Sequence, residues 1–493
     1  MNICFSRFLL LLAGGVVGLW LLATPASADD ADKIEALQRV IDAQQQQLEA
    51  QQKQLEMQQK QLDAQSRLLQ QVQSRIQSLA KEADKATVFA AAEDQAEKDA
   101  VELAKAPPPK RTGLSNADKH DRESPTATNV TYFDPAKVIN IPGTNTSIGL
   151  HGLAQFQIIH DTDGINNNRF DTATIPVDGA PSQTKFNINP SQLAISSTTP
   201  ISKGRLNTMI SMDFNGQVDR PEPRLRIAYG EFINSDWGFG FLTGQAYTTM
   251  LDLRAFPEVL DFAGPAGLWQ TRQPLVRVTK SLTEKLLTEV ALETPENVSY
   301  IDAEKLTRWP DVTLAGTWNA GGKYLKHLRL AGLGRDLRAE GVDGSTDSAF
   351  GWALTGSMKL GLPFLGAKDN FKITMHYGDG YGTQIKGGPK EGVFYPDTSS
   401  LETIKIFGFY TGIQHFWSDR FRSNVVYGYV DTDNPDFVSE DTFDSTNYFA
   451  ANIIWNPYKT VNFGLEYLWG RRKNVDGASG TDNRFIFHSR YNF

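Results

Sequence analysis

Along the last two thirds of the chain, large apolar and polar residues alternate with a period of two. In Val461-Asn462-Phe463-Gly464-Leu465-Glu466-Tyr467-Leu468-Trp469 the odd positions are large and apolar and the even ones mostly polar or small. Phe421, Val425, Tyr427 and Tyr429 oppose Arg420, Arg422 and Asn424 in the same way, and Leu225, Ile227 and Tyr229 oppose Arg224 and Arg226. Successive side chains leave a pleated strand on opposite sides, so this period marks strands with one apolar and one polar face. Sixteen such strands are expected, beginning near residues 148, 191, 204, 224, 236, 272, 285, 310, 324, 349, 370, 403, 420, 446, 461 and 483. The stretch 403–416 is apolar on both faces for several residues and does not declare its orientation.

The connections alternate in length. Short ones fall near Ile201-Ser202-Lys203, Asn234-Ser235-Asp236, Leu282-Thr283-Glu284, Ala320-Gly321-Gly322, 362–369, Ser418-Asp419 and Asn456-Pro457-Tyr458-Lys459. Long ones fall at 160–183, 247–271, 294–309, 335–348, 378–402, 431–444 and 471–482. A soluble sandwich has no reason to alternate so strictly. An outer-membrane β-barrel does, with short periplasmic turns, longer extracellular loops and an even number of strands. Backbone polar groups cannot be left bare in lipid, so the sheet over 148–493 must close on itself. Trp237, Trp318, Trp352, Trp417, Trp455 and Trp469 sit near strand ends, where aromatic girdles meet the lipid interface. Phe485, Phe487, Tyr491 and Phe493 share one face, and the aromatic ending resembles the C-terminal signal by which the barrel-assembly machinery reads such proteins. The expected surroundings are therefore outer-membrane lipid and lipopolysaccharide.

Ahead of the strands the period changes to seven. Ile34, Ile41, Leu48, Leu55, Leu62, Leu69 and Ile76 recur at heptad spacing, with Leu37, Gln44, Gln51, Gln58, Gln65, Val72 and Leu79 at the matching d positions. A sustained seven-residue spacing predicts a left-handed α-helical coiled coil over 29–86, on the periplasmic side. Its polar d layers suit two, three or four chains, and a Gln-rich disordered spacer is the alternative. Residues 87–147, with Pro107-Pro108-Pro109, read as a flexible linker. Residues 1–28 carry Arg7, an apolar run from Phe8 to Ala23 and Ala26-Ser27-Ala28, the form of a secretory signal peptide.

Composition narrows the classes further. The chain has 493 residues, 40% of them hydrophobic and 22% charged, and no apolar run of transmembrane-helix length beyond the N-terminus. One cysteine, Cys4, excludes a disulfide framework. A net charge of -8 argues against nucleic-acid binding. No G-x-S-x-G, H-E-x-x-H or C-x-x-C motif is present, so an enzyme is not expected, and no cofactor or metal site is expected either.

If the apolar face meets lipid, the polar face lines water. That places His151, Gln155 and Gln157 inside, with Asn207, Asp213 and His327, and a recurrent set of arginines: Arg205, Arg224, Arg226, Arg277, Arg329, Arg422, Arg484 and Arg490. Guanidinium is charged at any working pH and offers a planar fork to carboxylate or phosphate, so a ring of such groups favours anions. The alternative is that each arginine pairs with a neighbouring carboxylate and only stiffens the wall. The connection 247–271 differs from the other long loops in being apolar, with Leu251, Leu253, Phe256, Val259, Leu260, Phe262 and Trp269. Such a loop is costly in water and is expected to fold into the barrel, bringing Asp252, Arg254, Glu258, Asp261 and Arg272 to a constriction. Packing on a neighbouring subunit is the alternative.

The segment Phe241-Leu242-Thr243-Gly244-Gln245-Ala246-Tyr247-Thr248-Thr249-Met250 resembles the Gly-Gln-x-[Trp/Tyr]-[Ser/Thr]-Thr segment of the DcaP-like porins of Gram-negative outer membranes. Pro257-Glu258-Val259-Leu260-Asp261-Phe262-Ala263-Gly264-Pro265 and Arg272-Gln273-Pro274-Leu275-Val276-Arg277 are similar to the stretch C-terminal to that segment in the same family. The resemblance implies a homotrimer of sixteen-stranded barrels, a periplasmic coiled coil, and passage of small anionic solutes such as dicarboxylates. The long Gln-rich rod departs from the family. A tether from the outer membrane to the cell wall is a second role it could serve.

Overall fold

A computed structural model describes residues 138–493 apart from 166, 218–219, 396 and 436–437. The expected signal peptide, heptad rod and most of the linker lie outside the described residues.

Period-two alternation becomes sixteen long strands. They are β1 (Ser147–Asp161), β2 (Gln192–Ile201), β3 (Gly204–Asp213), β4 (Arg224–Asn234), β5 (Phe239–Tyr247), β6 (Arg272–Ser281), β7 (Leu286–Glu293) and β8 (Asp311–Trp318). The second half comprises β9 (Leu325–Gly341), β10 (Thr346–Gly361), β11 (Asn370–Asp379), β12 (Lys405–Phe416), β13 (Phe421–Asp433), β14 (Phe443–Tyr458), β15 (Val461–Asn474) and β16 (Ser479–Asn492). Each pairs antiparallel with its sequence neighbours, and β16 pairs with β1 from Leu153↔Asn492 to Asp161↔Arg484, which closes the barrel. The terminal residue completes the seam: Phe493 N donates to Gly152 O at 3.0 Å and Gly152 N to Phe493 O at 3.2 Å. Closure leaves no open edge along the ring, as lipid requires.

The outer surface is apolar. Leu330 and Leu354, on adjacent strands, are 63% and 62% exposed. Each would forfeit about 1.5–3 kcal/mol in water but is favourably placed against acyl chains. Trp237 and Trp417 stand exposed at the short turns. The hydrophobic core lies inside the ring, where buried residues of the connection 248–271 pack with wall residues such as Val426, Tyr448 and Leu468.

Two expectations are corrected. The connections 335–348 and 471–482 are mostly strand, because alternation continues through them. β9 and β10 span 17 and 16 residues and meet at a tight turn over 342–345. β15 and β16 span 14 residues each and meet over 475–478. By contrast β2 to β8 are 8–11 residues long, so the wall is lower on that side. In β4 the register slips between Ser211↔Ile227 and Met212↔Leu225, which leaves Arg226 as the extra residue of a bulge. Leu225 stays outward, whereas Ile227 and Tyr229 turn to the inner face that sequence alternation reserves for polar groups.

Candidate functional site

The connection between β5 and β6 contacts the inner wall strand by strand. Its residues meet partners in ring order. Thr249 N donates to Glu293 on β7 at 2.8 Å, and its carbonyl accepts from Arg329 on β9. Asp252 accepts from His327 Nε2 at 2.7 Å and from Ser357 on β10. Phe256 O accepts from Lys372 Nζ on β11 at 2.8 Å. Glu258 takes a bidentate pair from Arg422 on β13, at 2.7 and 2.6 Å. Leu260 N and Asp261 N donate to the Glu466 carboxylate on β15 at 2.8 and 2.7 Å, and Leu260 O accepts from Gln157 on β1 at 2.9 Å. The chain then doubles back, with Gly267 O facing His376 Nε2 at 2.8 Å.

Wall glycines make this approach possible. A Cβ on Gly428 would lie 2.6 Å from Ala266 O, and one on Gly464 would lie 2.6 Å from a methyl of Leu260. Apolar loop residues therefore reach the backbone of the wall, which accounts for a buried core inside a barrel.

Two further connections join this one. Gly267 N donates to Lys386 O, and Lys386 N to Leu268 O, each at 2.8 Å, tying it to the connection 380–404. Lys386 Nζ reaches Asp171 at 2.8 Å, and Phe170 N donates to Asp261 at 3.2 Å, so the connection 162–191 belongs to the same packing.

Of the acidic residues expected at a constriction, Asp252 and Glu258 turn toward the wall and Asp261 toward Phe170 of the connection 162–191. Asp252, Glu258 and Asp261 are 2%, 5% and 1% exposed. Arg254 is partly buried and reaches Asn319 at the short-turn side. Arg272 alone of that set faces free space, its guanidinium 5.5 Å above the Tyr247 ring.

Several expected arginines meet carboxylates, but the pairing is not one to one. Arg224 and Arg226 share Asp213, at 2.7 and 2.6 Å. Arg277 and Arg329 both approach Glu289, at 4.0 and 2.5 Å. Each cluster thus sets two guanidiniums around one carboxylate. Arg484 is neutralised by Asp161 on the neighbouring strand and is fully buried, capped by Phe170. Arg205 lies half-buried near the short-turn end of β3. Arg490 donates to Gln155.

At the long-loop end of β4, β5 and β6 the wall and the inner connection border a small recess, with about 60 Å³ of internal room, that opens to solvent. Arg169, Arg224 and Arg272 line it beside Gln270, with Tyr247, Leu251, Phe262 and Trp269 among its apolar walls. Trp269 stacks on Tyr381 at 5.2 Å, and its buried Nε1 has no hydrogen-bond partner among the described residues. Arg169 is the residue sequence reasoning missed. It sits in a polar loop, yet Phe170 and Ile175 beside it are fully buried, and those apolar neighbours were the available signal. Among the described residues no cluster of His, Cys, Asp or Glu could hold a metal ion.

A closed sixteen-stranded barrel with an apolar outer face and charged groups around an internal loop defines an outer-membrane channel of the porin class. The model of the DcaP outer membrane protein family matches residues 134–493, and the chain belongs to that family. The outer membrane channel DcaP of Acinetobacter baumannii is 20% identical, with a TM-score of 0.64 over 72% of this chain and 99% of that one. An anion-selective porin from Comamonas acidovorans is 9% identical, with a TM-score of 0.50 over 71% of this chain and 100% of that one. At these identities the two likenesses speak to the fold alone. No curated protein sequence matches the chain.

Proposed function

We propose that this barrel is a water-filled channel for passive diffusion of small, preferentially anionic, dicarboxylate-like solutes across the outer membrane, narrowed by the inward-folded connection 247–271. The observation that carries the reading is the division of charge across the aperture. The carboxylates of Asp252, Glu258 and Asp261 are buried, whereas Arg169, Arg224 and Arg272 line the open recess. A solute passing between them meets guanidinium forks and few competing carboxylates, and such a fork binds a carboxylate bidentately. Apolar walls beside the arginines suit a solute whose charges flank a short carbon body. The reading extends to a homotrimer with residues 29–86 on the periplasmic side, as the family resemblance implies, and cross-linking of the full chain tests that part.

Liposome swelling tests the transport reading. Succinate is expected to enter faster than a neutral polyol of equal size, and Arg272→Gln to remove most of that advantage. Equal rates for the two solutes in the unaltered protein would contradict the reading.

A further inference from the structure

On the other side of the inner connection, at the seam of the barrel, lies an arginine with no acid of its own. Arg490 on β16 sits directly opposite Gln155 on β1, both 3% exposed. Its Nε and Nη2 both donate to Gln155 Oε1, at 3.0 and 2.8 Å. These are the hydrogen bonds it makes among the described residues, and neither partner atom carries charge. The nearby carboxylate of Glu258 is already gripped at both oxygens by Arg422. Gln155 has given its acceptor to Arg490, and its amide Nε2 is buried without a partner. Two adjacent buried groups are thus rich in N–H donors and poor in acceptors. A buried guanidinium whose nearby carboxylate is hydrogen-bonded to another arginine is costly, as is an orphaned amide donor. One carboxylate would satisfy both.

The position of this pair matters. Gln157, two residues further along the same face of β1, is where the wall grips Leu260 of the inner connection. Gln155 and Arg490 therefore lie one rung toward the short-turn end, whereas Arg224, Tyr247 and Arg272 lie at the long-loop end. We propose that Arg490 and the Gln155 carboxamide form a second carboxylate-binding station, on the short-turn side of the constriction, so that an anion crosses in two hops between separate sites. This rests on the anion-channel reading above and adds a place where the anion pauses. Two moderate sites in series let an ion enter favourably and still leave.

Succinate interruption of chloride current through single channels of the full chain, in bilayers of known insertion direction, tests the proposal. Gln155→Glu gives Arg490 a carboxylate of its own at the same register, so the variant should fold and close the seam while the station is filled from within. It is expected to slow capture of succinate added at the short-turn side about tenfold, and to leave capture from the long-loop side within about twofold. Arg490→Gln is expected to act in the same direction. Arg272→Gln is the control, with its effect on the long-loop side. The proposal is overturned if Gln155→Glu folds, shown by heat-modifiable mobility, and captures succinate from the short-turn side at the unaltered rate while Arg272→Gln retains its effect. Loss of any effect in Arg272→Gln as well would instead bring down the channel reading beneath it.

Discussion

Arg422 on β13 holds Glu258, at the far reach of the inner connection, through two parallel bonds: Nε to Oε2 at 2.7 Å and Nη2 to Oε1 at 2.6 Å. Both side chains are nearly buried, and Gln414 adds a third bond to the same carboxylate at 2.7 Å. Removing one partner leaves the other as an uncompensated buried charge, at a cost of about 3–5 kcal/mol. Glu258→Gln is therefore expected to loosen the connection. Single-channel recording should show a larger and noisier conductance, and the heat-modifiable transition should move to lower temperature. An unchanged conductance would mean that Arg422 plays no part in holding the aperture.

Gly428 makes a separate prediction about the same connection. A side chain there would collide with the backbone of Ala266, which the wall cannot yield to without displacing the loop. Gly428→Val is expected to lower thermal stability by about 1–3 kcal/mol, the usual cost of overpacking, and to alter conductance. The outward-facing Val425→Ala, three residues away on the lipid face, serves as the control and should leave conductance as it was.

The outer mouth should respond to pH. Glu391 links the connections 294–310 and 380–404: it accepts from Ser299 N at 3.0 Å and from the Thr383 amide and hydroxyl, and faces Arg335 at 3.4 Å. Burial pushes its carboxyl up to about 7, against the opposing pull of Arg335, whose own bidentate partner is Asp311. Tyr300 also faces this group, and its own proton is held more tightly for the same reason. The folded mouth thus prefers Glu391 protonated. Its contribution to stability is full below the unfolded value near 4.5 and is lost as pH rises through about 7. Hydrogen exchange over 294–310 and 380–404, corrected for intrinsic rates, should show protection falling between about pH 5 and 8. Glu391→Gln should flatten that profile, and a profile that rises instead would contradict the assignment.

How much of this was legible in the sequence depends on the distance between partners. β15 could be read because Val461 to Trp469 alternate without interruption, and the structure keeps that phase. β4 could not, because one bulged residue, Arg226, reverses the faces of everything after it, and a bulge leaves no mark in a period-two pattern. The apolar character of 247–271 exposed its need for a partner, since Leu251 and Phe256 would be costly in water. The identity of that partner was hidden, because Glu258 and Arg422 lie 164 residues apart and meet only when the ring closes. For the same reason the sharing of Asp213 by Arg224 and Arg226 follows from register and not from spacing. Arg169 looks in the sequence like one more solvated loop charge, although buried Phe170 beside it betrays the loop's inward course.

The recess makes the selectivity claim specific. Arg272 contacts the Tyr247 ring and free space, so Arg272→Gln should fold normally while removing one of three guanidiniums at the opening. The ratio of anion to cation permeability should fall about twofold to fivefold, as expected for loss of a partly screened charge. Salt should diminish the difference, and a ratio that holds at low ionic strength would place the selective charge elsewhere.

The most direct measurement is the zero-current potential of single channels across a planar bilayer under a tenfold potassium chloride gradient. A wall whose arginines outnumber the carboxylates left open to the aperture should give the sign set by chloride. A potential of zero, or one of the sign set by potassium, would show that the paired arginines only brace the wall.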